Sequence, residues 1–215
     1  MLRGILAFLL LLCPLAGQGG ALPRWRPVPD LFARGSSAVA YDEVRQRLVM
    51  FGGGPMYGGT SVEMNDTWEW DGTRWLARHP RIVPPARQGH VLAFDPTRRR
   101  VVLYGGINGV IAQSITDMWE WDGSDWSPIA YATQPPATYR PAFAPDPVRS
   151  RIVLFGGARY VTGMGGFAYD ETWEWDGQDW RLVVPGAQRP GHRMGAGMAY
   201  CAVANRITMY GGRTP

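Results

Sequence analysis

One pattern recurs three times with its marked residues unchanged: Trp-Glu-Trp-Asp-Gly-x-x-Trp. It supplies Trp68, Trp70 and Trp75, then Trp119, Trp121 and Trp126, then Trp173, Trp175 and Trp180. A second pattern recurs four times and ends in a glycine pair: Gly52-Gly53, Gly105-Gly106, Gly156-Gly157 and Gly211-Gly212. Ten residues before each pair stands Asp42, Asp95, Asp146 or Cys201, so the copies lie 53, 51 and 55 residues apart. Such a chain is a row of like units that bury surface on one another.

Each copy reads as four short strands, a to d. Strand a ends at the aromatic or apolar residue before the Asp position, and a tight Asp-x-x-Arg turn leads into strand b. Strand b is a continuous apolar run closed by Gly-Gly, as in Val101-Val102-Leu103-Tyr104. Strand c carries Trp-Glu-Trp, and an Asp-Gly turn opens strand d at the last Trp. A continuous apolar strand is buried on both sheet faces. A lone sheet cannot bury both, whereas sheets stacked radially can. Four-stranded units at a period near 50 predict an all-β chain of the β-propeller type, with about 3.5 four-stranded blades present. Gly 28 and Pro 18 among 215 residues fit frequent turns, and argue against coiled coil and helical bundle.

Gly-Gly after an apolar strand, then an aromatic strand and a spaced Trp, resembles the kelch motif. The resemblance covers roughly residues 34 to 215. It points to the secreted bacterial kelch proteins, whose blades are similar to the propeller of galactose oxidase. The resemblance implies blades at 34–80, 86–132 and 137–185, and a partial blade at 190–215. Galactose oxidase needs a copper centre of tyrosines, histidines and a cysteine-linked tyrosine. That motif is not matched here, so the resemblance carries the fold without the activity, and no cofactor or metal is expected.

The repeated residues read first as structure. The glycine pairs allow positive φ and close backbone approach. The nine repeated Trp are expected to fill the space between sheets, with Trp68, Trp119 and Trp173 buried and equivalent. Glu69, Glu120 and Glu174 occupy one position, as do Arg47, Arg100, Arg151 and Arg206, and also Arg34, Arg87 and Arg193. Repetition of acids and arginines predicts ion pairs between blades or caps on carbonyls rather than a catalytic pair. His90 and His192 are not equivalent, and no nucleophile, metalloprotease or phosphate-loop motif exists.

The b–c and d–a connections are long and are expected to share one face. Long loops on a rigid scaffold carry recognition. The candidates are Met56, Tyr57, Tyr160, Met164, Phe167 and Tyr169. The leading expectation is a non-catalytic binding module for a protein or glycan ligand. The alternatives are a galactose-oxidase-like or glycan-active enzyme fragment and a structural surface-assembly protein.

Residues 1–21 read as a secretory signal peptide: Arg3, the apolar run Ile5–Leu12, then small residues. The expectation is a secreted or periplasmic protein without stable membrane insertion. Removing the leader leaves Cys201 alone, which excludes an internal disulfide. All 22 basic residues are Arg and the net charge is +4. Their only cluster is Arg98-Arg99-Arg100, which disfavours a nucleic-acid groove. Residues 22–33, with Trp25, resemble a strand d that could close a ring. Residues 191 to 215 predict a two-stranded hairpin, since no fourth Trp-Glu-Trp follows Gly212, and a partial propeller.

Overall fold

The computed structural model describes residues 34–55, 63–108, 113–161, 165–183 and 189–214. They are all-β, without a helix, in antiparallel sheets. In the first sheet β1 (Arg34–Gly35) and β2 (Ala38–Asp42) pair end to end with successive stretches of β3 (Arg47–Pro55). The sheet continues with β4 (Met64–Trp70) and β5 (Trp75–Arg78). The second sheet joins β6 (Val91–Asp95), β7 (Arg100–Tyr104), β10 (Met118–Trp121) and β11 (Trp126–Ile129). Between them a small hairpin pairs β8 (Ile107–Asn108) with β9 (Gln113–Ser114). The third sheet joins β12 (Ala142–Asp146), β13 (Arg151–Phe155), β16 (Thr172–Trp175) and β17 (Trp180–Val183). Its own small hairpin pairs β14 (Ala158–Val161) with β15 (Gly165–Ala168). The chain continues into the two-stranded hairpin expected from the sequence, β18 (Met194–Cys201) with β19 (Arg206–Arg213).

Local chemistry sets the turns. Asp42 Oδ1 accepts the backbone N–H of Val44 and Arg45, and Asp95 repeats this with Thr97 and Arg98. The last turn residue, Gln46, Arg99, Ser150 or Asn205, is left-handed. The Asp-Gly turns work alike: Asp71, Asp122 and Asp176 each accept two N–H groups before strand d begins.

The first strands β2, β6, β12 and β18 neighbour one another in chain order, so the sheets are gathered around their a strands. Two cores follow. Ala40, Val49 and Phe51 of the first sheet meet Leu92, Phe94, Val101, Leu103, Trp121 and Trp126 of the second. The second sheet's other face, with Val102, Tyr104 and Met118, meets Ile152, Leu154, Trp175 and Trp180 of the third. Strand β7 is thus buried on both faces, which explains its unbroken apolar run.

The Trp residues of the second and third sheets face the preceding sheet. Trp121, Trp126 and Trp175 are fully buried and Trp180 nearly so. The expectation of equal burial at Trp68, Trp119 and Trp173 is corrected: Trp173 is buried, whereas Trp68 and Trp119 are half-buried. Trp68, Trp70 and Trp75 are half-buried because no described sheet precedes theirs. Trp119 lies at the margin of its core, its indole N–H turned to Asp117.

Of the repeated arginines, Arg34, Arg87 and Arg193 cap the Gly52, Gly105 and Gly211 carbonyls, whereas Arg47, Arg100 and Arg151 make no ion pair with the glutamates among the described residues. Among the described residues Arg47 bonds only to the adjacent Gln46 carbonyl, and the glutamates are held instead by the arginines two residues earlier. Arg45 binds Asp42 and Glu69, Arg98 binds Glu120, and Arg149 binds Asp146 and Glu174. The turn position reaches strand c over the end of the sheet. Arg98 Nη1 also donates to the Gly177 carbonyl of the next sheet at 3.0 Å. The Trp121 indole donates to Glu69 at 2.8 Å across the sheet boundary.

Candidate functional site

The four chain segments that enter the a strands are joined by backbone. Gly89 N–H donates to the Ser36 carbonyl at 2.8 Å, Arg140 N–H to Gly89 at 2.6 Å, and Gly195 N–H to Arg140 at 2.8 Å. All four residues are left-handed, with φ of 57°, 63°, 53° and 69° in chain order. Two are Gly, which pays little for that conformation; Ser36 and Arg140 hold it against about 1–2 kcal/mol of side-chain strain. This staple lies at the strand ends away from the Asp turns. Across it Arg140 Nη2 donates to Ser36 Oγ at 2.7 Å, and its guanidinium lies 5.3 Å from the Tyr139 ring centre. Arg140 is exposed.

The small hairpins rise from the same end. Gln88 pairs with Ile107, and Tyr139 with Ala158, fastening each hairpin to the segment that carries the staple. β9 and β14 are neighbours, so the hairpins of the second and third sheets stand together. Phe167 on β15 is 58% exposed, Arg159 opposite it is exposed, and Tyr169 is half-buried. Burial raises the Tyr169 hydroxyl above its ordinary pKa, so it stays protonated and can donate. Met56, Tyr57 and Met164 lie outside the described residues. Tyr160 sits in β14, and only its backbone is described.

Two of the d–a connections are held by an aspartate of the following sheet. Asp125 Oδ1 accepts the N–H of Arg81 and Ile82, and its Oδ2 receives the Arg81 side chain at 2.9 Å. Asp179 does the same for Ala132 and Thr133. Each of these two connections is therefore tied down on the following sheet, and Pro84 and Pro135 are buried beneath them. The sequence signal was the acid immediately before Trp126 and Trp180; the first copy has Arg74 there.

The glycine pairs are conformational. Gly52, Gly105, Gly156 and Gly211 all have positive φ. The Gly52, Gly105 and Gly211 carbonyls accept from Arg34, Arg87 and Arg193, and that of Gly156 accepts from Thr138 Oγ1. A Cβ on Gly156 would come within 2.4 Å of the Arg193 carbonyl oxygen.

His90 is buried, and its Nε2–H donates to the Phe51 carbonyl at 3.1 Å. Burial first, then the charge of Arg87, pushes its pKa down to about 3. It is a neutral core group, far from the tuned general base of an active site. A cavity of about 430 Å³ lies along the a strands, lined by apolar groups such as Val39, Leu92, Phe94 and Phe143, with Glu43 among its few polar neighbours. Among the described residues no three His, Cys, Asp or Glu stand together as a metal site. The stapled face thus carries the Arg140 and Arg159 guanidinium groups, the half-buried Tyr139 and Tyr169 and the exposed Phe167 ring.

No protein-family model matches the chain. Mei4-dependent protein 6 of Schizosaccharomyces pombe (strain 972) is 26% identical over 188 residues. The alignment takes in 74% of this chain and 26% of that protein, so the chain spans about a quarter of its relative's length.

Proposed function

We propose that the chain is a secreted, non-catalytic binding module of the kelch β-propeller kind, which takes a protein or glycan ligand on the stapled face. The observation that carries the reading is Arg140. It holds a strained left-handed backbone on that face, as Ser36 does, where Gly89 and Gly195 stand in the other copies. Strain kept at an exposed charged residue is a mark of use. The fan of sheets around their a strands, with a core on each side of the second, supports the propeller reading.

The test is a screen of glycan and acidic-peptide arrays with the full chain and with Arg140→Gly and Phe167→Ala. Arg140→Gly relieves the backbone, so its thermal stability should equal or exceed that of the parent while binding is lost. Phe167→Ala should weaken binding with no change in stability. Ligand capture that neither substitution alters would sink the proposal.

A further inference from the structure

At the end of the strands opposite the staple, a cleft of about 480 Å³ lies between the turns of the first and second sheets. Glu43 and Val44 line it from the turn after β2, and Phe94, Pro96 and Arg99 from β6 and the turn that follows. Phe94 is buried in the core between the two sheets, and Val44 is 46% exposed. Glu43 and Arg99 are exposed, and among the described residues neither takes part in an ion pair. Both turns are held at their bases. Asp42 Oδ1 accepts the N–H groups of Val44 and Arg45, and Asp95 Oδ1 those of Thr97 and Arg98. The Arg99 N–H donates to the Asp95 carbonyl at 2.7 Å. The two charges therefore stand on preset backbone.

Both are departures from the repeat. Where Glu43 stands, the later copies have Pro96, Pro147 and Ala202; where Arg99 stands, the others have Gln46, Ser150 and Asn205. Repeated residues are explained by the sheet they build. Opposite charges that break the repeat and meet in one cleft are not. The equivalent place between the second and third sheets has no charged residue and is bridged, since Thr97 Oγ1 donates to the Ser150 carbonyl at 3.4 Å. In the first turn Val44 takes the position of Thr97 and has no hydroxyl to offer the Arg99 carbonyl. The boundary that carries the two charges lacks the bond that ties the next one.

We propose that this cleft binds a small zwitterion, an apolar amino acid or a dipeptide, with its ammonium on Glu43 and its carboxylate on Arg99. The apolar side chain lies on Phe94, Pro96 and Val44. A guanidinium edge presents two N–H groups to the two oxygens of a carboxylate, and the ammonium gives Glu43 the cation that no protein group supplies. A concave site with an apolar lining and few polar groups takes a small molecule, with the polar groups fixing its orientation. The cleft lies at the far end of the strands from Arg140, so the proposal stands independently of the ligand on the stapled face.

The probes are leucine and leucyl-leucine, titrated calorimetrically into the full chain. At least one should bind, and the tighter of the two reports the spacing of charges that the cleft accepts. Amidation of that ligand removes its carboxylate and N-acetylation its ammonium. Each should weaken binding roughly tenfold or more, the usual loss for a charge-assisted bond. Arg99→Gln should make the zwitterion and its amide bind alike, and Glu43→Gln should do the same for the zwitterion and its acetylated form. Val44→Thr offers the Arg99 carbonyl the hydroxyl that Thr97 gives Ser150, and should weaken binding of the zwitterion. If a variant fails to fold, the blocked ligands on the unaltered chain still decide. No binding of either probe, or blocked forms that bind as tightly, would overturn the proposal. So would an equal fall in melting temperature in Glu43→Gln, Arg99→Gln and the double variant, which would pair the two charges with each other instead.

Discussion

The Trp126 indole N–H donates to Thr67 Oγ1 at 2.9 Å, from the second sheet into the first, with both groups buried. One repeat later the partner is gone. Met118 stands where Thr67 stood, and the buried Trp180 indole N–H has no acceptor among the described residues. The two sheet boundaries therefore share a shape but differ in polar satisfaction. Replacing Thr67 by Val, which keeps the volume and removes the oxygen, should cost about 1–3 kcal/mol. Urea unfolding measures it, and a change below a few tenths of a kcal/mol would show that Trp126 had found other relief.

The Asp-Gly turns should differ in sensitivity although they are alike in sequence. Gly72, Gly123 and Gly177 all have φ near +100°, at 98°, 104° and 93°. A Cβ on Gly123 would meet the Arg45 guanidinium within 2.5–3.0 Å, and one on Gly177 would meet the Thr97 side chain at 2.7 Å. One on Gly72 would meet nothing within 4 Å. Gly72→Ala should cost about 1 kcal/mol from the backbone alone. Gly177→Ala should cost more, because Thr97 is short and cannot swing aside. The comparison of denaturation midpoints is the test; equal losses would contradict it.

The arginine at the third turn position, not the one at the fifth, should carry stability. Arg98 reaches Glu120 at 2.6 Å and the Gly177 carbonyl, both partly buried. Arg98→Ala should lower the melting temperature by several degrees. Arg100→Ala should shift it little, since Arg100 acts on the Asp122 carboxylate through its charge and such surface attractions are weak. A larger loss at Arg100 would reverse this assignment.

His90 sets a mildly acidic limit on stability. The folded ring is neutral with a pKa pushed down to about 3, whereas the unfolded ring titrates near the ordinary 6.5. Below pH 6.5 the unfolded chain takes up a proton that the folded one refuses. The stabilisation is thus complete above that pH and is lost progressively as the pH falls towards 3. At one pKa unit per 1.36 kcal/mol, the loss should reach about 2–3 kcal/mol near pH 4.5. The carboxylates act lower. Burial works against the Glu69 carboxylate, but its bonds from Arg45 and Trp121 outweigh that and hold its pKa below 4.5. His90→Gln keeps a donor for the Phe51 carbonyl and should flatten stability between pH 6.5 and 5. A slope unchanged by that substitution would place the titrating group elsewhere.

Strand limits, turns and the all-β character were legible in the residues, because short-range chemistry decides them. Asp42, Asp71 and their counterparts bond to N–H groups two and three positions ahead. The glycine pairs announce left-handed backbone, and the apolar run of β7 announces cover on both faces. What tertiary structure decided is which of several like residues does a job. Trp68 and Trp173 have the same neighbours in sequence, yet Trp173 lies under the second sheet and Trp68 under no described sheet. Arg45 and Arg47 both repeat, but only the turn position reaches the strand c glutamate. The d–a connections look free in sequence and are pinned by Asp125 and Asp179 from the next copy. Burial and pairing depend on groups that arrive from some 50 residues away, and a period in the sequence repeats the residue without repeating what comes to cover it.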